Sequence, residues 1–259
     1  MSTFLFDKII FGPIKSRRLG ISLGINLLPT DSKLCSFDCI YCECGWTPRT
    51  RGKKAELPSR KLVAEKLEEQ LLVMNDRKEL PDVITFAGNG EPTLHPEFPG
   101  IVDDTRRLRD QLAPDCRIAV LSNSTMIRRE EVFQALLKVD DNILKLDSAI
   151  PETIEKLNCP LGRFQLEKTI SQLARFGHHA MIQTLFLRGI HKGLPVDNTT
   201  EEELQAWMQA LKIIRPGKVM IYSIDRDTPA KELIKIPKEE LEKIAVIVRE
   251  AGFDVQISG

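Results

Sequence analysis

The sequence predicts an α/β fold of mostly parallel strands, wound either as a barrel or as a doubly wound sheet. Three observations carry this expectation. Strand-like and helix-like stretches alternate along almost the whole chain. The 259 residues, 42% of them hydrophobic, suffice to bury a large core. No low-complexity linker or coiled-coil pattern divides the chain, so residues 1–259 are expected to form one domain, with 1–19 an N-terminal extension leading into the first strand.

In chain order, the expected strands are GISLGINLL (20–28), DVITFA (82–87), RIAVLS (117–122), NILKLD (142–147), MIQTLFL (181–187) and KVMIYSI (218–224). Each is a short apolar run. Between and after them lie helical patterns over 60–75, 97–112, 130–137, 164–176, 201–214 and 238–251. The fifth opens at Thr200 with Glu203 three residues on, a capping-box spacing that satisfies free amides at a helix start. Six βα units imply right-handed crossovers between parallel strands. The terminal DVQIS is a candidate last strand.

Charge and targeting signals narrow the function classes. Lys plus Arg and Asp plus Glu both number 37, which argues against a protein that mainly coats nucleic acid. The N-terminus lacks a signal-peptide run, and no apolar stretch approaches the roughly 18 residues of a membrane helix. A soluble cytoplasmic protein with no membrane partner is expected. In that reducing compartment, six cysteines point to metal or catalysis rather than disulfides.

Three of those cysteines, Cys35, Cys39 and Cys42, crowd the segment CSFDCIYC, and Cys44 follows. The segment comes directly after the first strand, at the end where parallel α/β folds gather their active sites. Thiolates suit zinc, copper(I) and iron–sulfur clusters. Structural zinc ordinarily takes four ligands from two separated pairs, and no second CxxC is present. A 4Fe–4S cluster held by three cysteines would leave one iron open for a substrate or cofactor.

CxxxCxxC with Tyr41 before its last cysteine resembles the radical S-adenosylmethionine (radical SAM) superfamily. The flanking FGPIKSRRLGISLGINLLP, TFAGNGEPTLHP, MIQTLFLRG and VMIYSIDRDTPA look like the subgroup of iron–sulfur oxidoreductases related to the wyosine-forming tRNA enzymes. The resemblance implies a partial (βα)6 TIM-like barrel and an oxidoreductase or radical initiator using a 4Fe–4S cluster and S-adenosylmethionine. Cys35, Cys39 and Cys42 would ligate three irons, and S-adenosylmethionine would chelate the fourth. Its reductive cleavage would give a 5′-deoxyadenosyl radical that abstracts hydrogen from a substrate, with tRNA or another nucleotide-like molecule the class favoured. An electron donor such as flavodoxin or ferredoxin and a monomeric state are expected. The alternatives are an activase of glycyl-radical enzymes acting on a partner protein, or a non-catalytic electron-transfer protein in which Cys44 closes the cluster. Otherwise Cys44, Cys116 and Cys159 are packing thiols.

Further cofactor contacts follow from the same resemblance. Gly88, Gly90 and Glu91 match the family's GGEP motif, with Asn89 in place of its second small residue, and Glu91 offers a carboxylate to an ammonium. Ser122 and Asn123 end the third strand. Lys145 and Asp147 alternate on the fourth, so both would point into the barrel, paired with each other or with the ligand. Gln183 and Thr184 are polar residues in an apolar run that could line the cavity. Arg226 would meet substrate or fix a loop, and His95 is a candidate proton donor. Basic runs at 16–18 and 47–54 flank the cysteines and would suit an anionic substrate or a reductase.

Overall fold

The computed structural model describes residues 4–16, 18–48 and 56–258. Most of the basic run at 47–54, and Arg17, lie outside the described residues. The elements in order are β1 (Ile10–Ser16), β2 (Gly20–Ile25), α1 (Arg60–Asp76), β3 (Val83–Phe86), α2 (Phe98–Leu112), β4 (Arg117–Ser122), α3 (Glu130–Leu136), β5 (Asp141–Lys145), α4 (Pro151–Leu157) and α5 (Leu166–Ala174). Then follow β6 (Ala180–Leu185), β7 (Leu187–His191), β8 (Leu194–Asp197), α6 (Glu201–Ile214), β9 (Lys218–Tyr222), β10 (Leu233–Lys235), α7 (Lys238–Glu250) and β11 (Val255–Ser258).

Eight strands form one sheet in the order β1-β2-β3-β4-β5-β6-β9-β11. From β2 onward all neighbours are parallel, and only β1 runs antiparallel, to β2. The sheet curls into an open half-barrel, the partial TIM-like barrel that the sequence led us to expect. Its two edges approach at the turn after β1, where Gln256 Nε2 of β11 donates to the Arg18 carbonyl at 3.1 Å. Leu19, Val83, Ala119, Ile143 and Met220 plug the barrel interior. The opposite faces of the strands pack against the helices in the main core. A strand such as β3, buried at all four residues, therefore reads as an apolar run interrupted only by Thr85, whose hydroxyl bonds to Ser22 Oγ, rather than as an alternating one.

The helices bury one stripe each. Along α2, Phe98, Ile101, Val102, Thr105 and Leu108 are buried at three- and four-residue spacing. Ser59 caps α1 by accepting from Leu62 N at 3.3 Å, and Thr200 caps α6 by accepting from Glu203 N at 3.3 Å. The capping box at α6 is only half formed. The Glu203 carboxylate turns instead to Ser148 Oγ at 2.6 Å and the Thr153 hydroxyl, tying α6 to the segment after β5.

Several boundaries differ from the sequence reading. Residues 10–16 of the expected extension form β1. The apolar run 181–187 breaks at Phe186, whose amide bonds to Tyr222 O at 2.8 Å, and the chain then leaves the sheet. β7 pairs with β8 and β10 in a small antiparallel sheet that apolar runs did not announce. Helix α4 was also unforeseen. It is seven residues long with Pro151 in its first turn, too short for a periodic signal. DVQIS does supply the last strand, β11.

Candidate functional site

Polar segments collect beyond the C-terminal ends of β2, β3, β4 and β5, around the cysteine loop. That loop is held by backbone on both sides. On one side Leu34 forms a parallel bridge with Gly90, with Leu34 N donating to Asn89 O at 2.9 Å and Glu91 N to Leu34 O at 3.1 Å. On the other, Phe37 bridges Pro160, Asp38 N donates to Cys159 O at 3.1 Å and Ile40 N to Leu157 O at 3.0 Å. The short helix α4 thus exists to present this second edge.

Each cysteine sulfur has its own support. Asn123 Nδ2 approaches Cys35 Sγ at 3.4 Å, and Phe37 N points at the same sulfur at 3.5 Å. Asn158 Nδ2 lies 3.3 Å from Cys39 Sγ. The neighbouring Cys44 thiol lowers the Cys42 pKa to about 6 against the opposing effect of burial, while Cys42 and burial raise that of Cys44, whose Sγ donates to Gly88 O at 3.5 Å. Burial pushes Cys35 up to about 12 and Cys39 to about 11, although Lys33 beside the first and Lys145 beside the second work against it.

Lys33 is the residue that sequence reasoning missed. Its side chain is 1% exposed, and its ammonium donates to Gly45 O at 2.9 Å and Asp38 Oδ1 at 3.3 Å. Burial disfavours that charge, but Cys42, Cys35, Cys39 and Asp38 outweigh it and raise its pKa. A buried cation facing three sulfurs is an arrangement for stabilising negative charge there. Nothing in the sequence separates such a lysine from a solvated one.

Tyr41, Lys145 and Asp147 form one network. The Tyr41 hydroxyl donates to Asp147 Oδ2, and Lys145 Nζ reaches Tyr41 OH at 2.7 Å and Asp147 at 3.4 Å. Asp147 lies beyond the end of β5 rather than within a strand, and it also accepts from Asn158 Nδ2 at 2.7 Å and Leu185 N at 2.9 Å. Lys145 and Asp147 are therefore mutually paired. The carboxylate serves as a hub that joins the cysteine loop to β6 and to the end of α4.

The glycine turn after β3 is equally determined. A Cβ at Gly90 would meet Leu34 O at 1.9 Å, and one at Gly88 would meet Asn26 Oδ1 at 2.4 Å. Both residues have positive φ, +137° and +138°. Glu91 is buried, with Oε1 accepting from Ser122 Oγ at 2.9 Å and Thr93 N at 3.1 Å, and Oε2 from Asn123 N at 2.5 Å. The sequence offered this carboxylate to an ammonium, but protein donors occupy both oxygens. Burial raises its pKa, and the Asn123 amide and the Thr93 and Ser122 donors pull it back. Asn89 replaces a small residue for a visible reason. It exchanges hydrogen bonds with Phe6 N at 2.8 Å and Phe6 O at 2.9 Å, and donates to Pro29 O at 2.8 Å, clamping the N-terminal segment to the site.

Other expectations are corrected. Gln183 faces the barrel interior between Lys145 and Met220, but Thr184 points the other way, bonded to Trp207 Nε1 at 3.0 Å, because neighbours on a strand face opposite sides. His95 is no proton donor to the site. Its Nδ1 accepts from Glu97 N at 3.1 Å, so Nε2 carries the proton and donates to Pro58 O at 2.9 Å. Arg226 fixes a loop through Glu43 at 2.8 Å. Next to Cys42, a cavity of about 950 Å³ is lined by residues including Trp46, Arg226 and Thr228. Among the described residues no helix is long and apolar enough to cross a membrane.

Comparison with known proteins agrees with this geometry. A family profile described as the radical SAM superfamily matches residues 31–165. An UPF0026 protein of Methanocaldococcus jannaschii is 33% identical over 247 residues, covering 93% of this chain and 71% of its own length. A radical SAM methyltransferase from Sphaerobacter thermophilus superposes with a TM-score of 0.67 at 13% identity, covering 92% of this chain. The chain spans 65% of that structure, just under two thirds. TYW1 with a bound lysine–pyruvate adduct superposes with a TM-score of 0.59 at 14% identity, covering 88% of this chain and 73% of that one.

Proposed function

The chain belongs to the radical SAM superfamily, whose cofactors are a 4Fe–4S cluster and S-adenosylmethionine, and on that premise we propose that Cys35, Cys39 and Cys42 hold the cluster of a radical enzyme. The observation that carries the reading is one loop bearing all three cysteines, with Cys35 held beside Asn123 and Cys39 beside Asn158, and with the buried Lys33 ammonium anchored to Asp38 and Gly45 O within it. The residues present fit the group. Three free cysteines on one loop suit a cluster, which takes each thiolate at a different iron.

A cluster held by Cys35, Cys39 and Cys42 would supply the one-electron chemistry for reductive cleavage of S-adenosylmethionine and so for hydrogen abstraction from a substrate. The protein's part is to position and to exclude water. Lys33 offsets negative charge at the sulfurs, and the Asp147 hub keeps Tyr41 and Lys145 in place below them. Gly88 and Gly90 form a turn packed on Asn26 and Leu34 beside the cysteine loop, with Glu91 bracing it through Ser122 and Asn123. Resemblance to the wyosine-forming enzymes supports tRNA or another nucleotide-like molecule as substrate, with flavodoxin or ferredoxin as donor.

A second reading, a four-thiolate electron carrier, is favoured by one observation, the Cys44 thiol held at the glycine turn beside the cysteine loop, 3.5 Å from Gly88 O. The two are separated by anaerobic reconstitution, dithionite reduction and a 5′-deoxyadenosine assay on wild type, Cys39→Ala and Cys44→Ala. We expect product from wild type and Cys44→Ala and none from Cys39→Ala. A fully loaded wild type that binds no S-adenosylmethionine, with a cluster lost in Cys44→Ala, supports the carrier instead.

A further inference from the structure

Two buried donors inside the barrel have no acceptor among the described residues. One is Gln183 Nε2 on β6, in a residue 6% exposed. The other is Arg18 Nη1. Arg18 belongs to the turn between β1 and β2, whose backbone lies at the N-terminal end of the strands. There Leu19 O accepts from Arg117 Nη2 at 3.4 Å and Arg18 O from Gln256 Nε2 at 3.1 Å. The turn therefore closes the gap between β2 and β11, and it sends the arginine inward. Its guanidinium carbon lies 4.6 Å from the ring centroid of Tyr222.

Tyr222, Met220 and Gln183 share the inner face, because Met220 is paired with Gln183 and Tyr222 follows two residues on. Lys145 is paired with Gln183 from the other side. Arg18, stacked on Tyr222, and Gln183 thus face the same interior. Among the described residues no carboxylate lies within ion-pair distance of Arg18. The one carboxylate of the network, Asp147, is already met by Tyr41, Asn158, Leu185 and Lys145.

Arg18 as a whole is half-buried, but its Nη1 is inaccessible, and since a guanidinium keeps its proton in a protein that atom stays a charged donor. The Tyr222 face orients the charge without supplying a countercharge. Its planar fork matches a carboxylate or a phosphate. We infer that Arg18, with the Gln183 amide, binds the carboxylate or phosphate group of an anionic substrate inside the barrel. The assignment rests on the proposed radical chemistry only for calling that anion a substrate; the anion site itself is independent of iron.

The test uses the full chain, with and without reconstituted cluster, as wild type, Arg18→Met and Arg18→Lys. Inorganic phosphate and acetate are titrated separately at constant ionic strength, with the thermal midpoint as readout, and S-adenosylmethionine binding to the loaded protein is measured by equilibrium dialysis. We expect one of the two anions to raise the wild-type midpoint, and which one does so distinguishes phosphate from carboxylate. Arg18→Met should weaken that anion by about tenfold or more, the loss of a charged hydrogen-bonding pair. Arg18→Lys, the variant read if Arg18→Met does not fold, should lose part of the response. S-adenosylmethionine affinity should stay within about twofold of wild type. No response of wild type to either anion, or equal responses of wild type and the variants, overturns the inference. A tenfold loss of S-adenosylmethionine binding in the variants moves Arg18 to the cofactor site and overturns it too. Failure to load iron bears only on the proposed chemistry, since the anion titration is also read on the iron-free chain.

Discussion

Gly90→Ala should detach the cysteine loop from the sheet. A methyl group there would lie 1.9 Å from Leu34 O and 2.5 Å from Leu34 C, both backbone atoms, so a rotamer change cannot relieve the overlap. Separating the two segments breaks the bridge between Leu34 and Gly90, with its hydrogen bonds at 2.9 and 3.1 Å. Two such bonds contribute about 1 kcal/mol each. Holding alanine at a φ of +137° adds about 1–3 kcal/mol. The sum, about 3–5 kcal/mol, corresponds to a fall in Tm of about 10 °C for a chain of this size. Anaerobic thermal melts and iron content after reconstitution are the assays, with Gly162→Ala as control, since a Cβ there meets nothing within 4 Å. A Gly90→Ala protein that melts within about 2 °C of wild type and loads iron normally would refute the claim that this bridge holds the loop.

Among single cysteine variants, alanine at 35, 39 or 42 should abolish stable iron binding, while alanine at 44, 116 or 159 should leave iron and sulfide content unchanged by chemical analysis. Asn89→Ala removes three hydrogen bonds to Phe6 and Pro29, which should cost about 2–4 kcal/mol and release the N-terminal segment, read as faster amide exchange at Phe6. Unchanged exchange would show that Asn89 is not the clamp. Burial lowers the His95 pKa below its ordinary value, so the folded state binds that proton less readily than the unfolded chain does. Its contribution to stability is therefore complete above about pH 6.5 and declines as pH falls through that value towards the lower folded pKa. Wild-type Tm should drop over that window more steeply than that of His95→Gln; parallel curves would exclude His95 as the cause.

Much of the site was legible because its residues are close in sequence or sit at strand ends. The spacing of Cys35, Cys39 and Cys42 and the glycines at 88 and 90 are local patterns. A parallel α/β chain brings loops that follow different strands to one end. The period-two charge of Lys145 and Asp147 was readable as inward-facing, but it left open whether they pair with each other or with a ligand, and the structure pairs them. By contrast, Lys33 and Asn158 carry no local mark, and Arg18 was marked only as one of a basic run at 16–18, with nothing to send it inside the barrel. A lysine two residues before a cysteine, an asparagine at the end of a seven-residue helix and an arginine in a hairpin turn each look like solvated polar residues until the chain closes around them. Thr184 shows the reverse error, a polar residue credited to the cavity although the pleat turns it to Trp207.

The sequence alone determined the α/β order, most strands and helices, and the three cysteines, because periodicity and motif spacing are properties of neighbouring residues. The tertiary structure decided which polar groups are paired and which are free. It joined Glu91 to Ser122 and Asn123, Asp147 to Tyr41 and Asn158, and Asn89 to Phe6, leaving Gln183 Nε2 and Arg18 Nη1 without acceptors. Whether a buried polar atom is satisfied depends on contacts between residues far apart in the chain. No local pattern records those contacts, so only the folded arrangement shows where a ligand's charge is wanted.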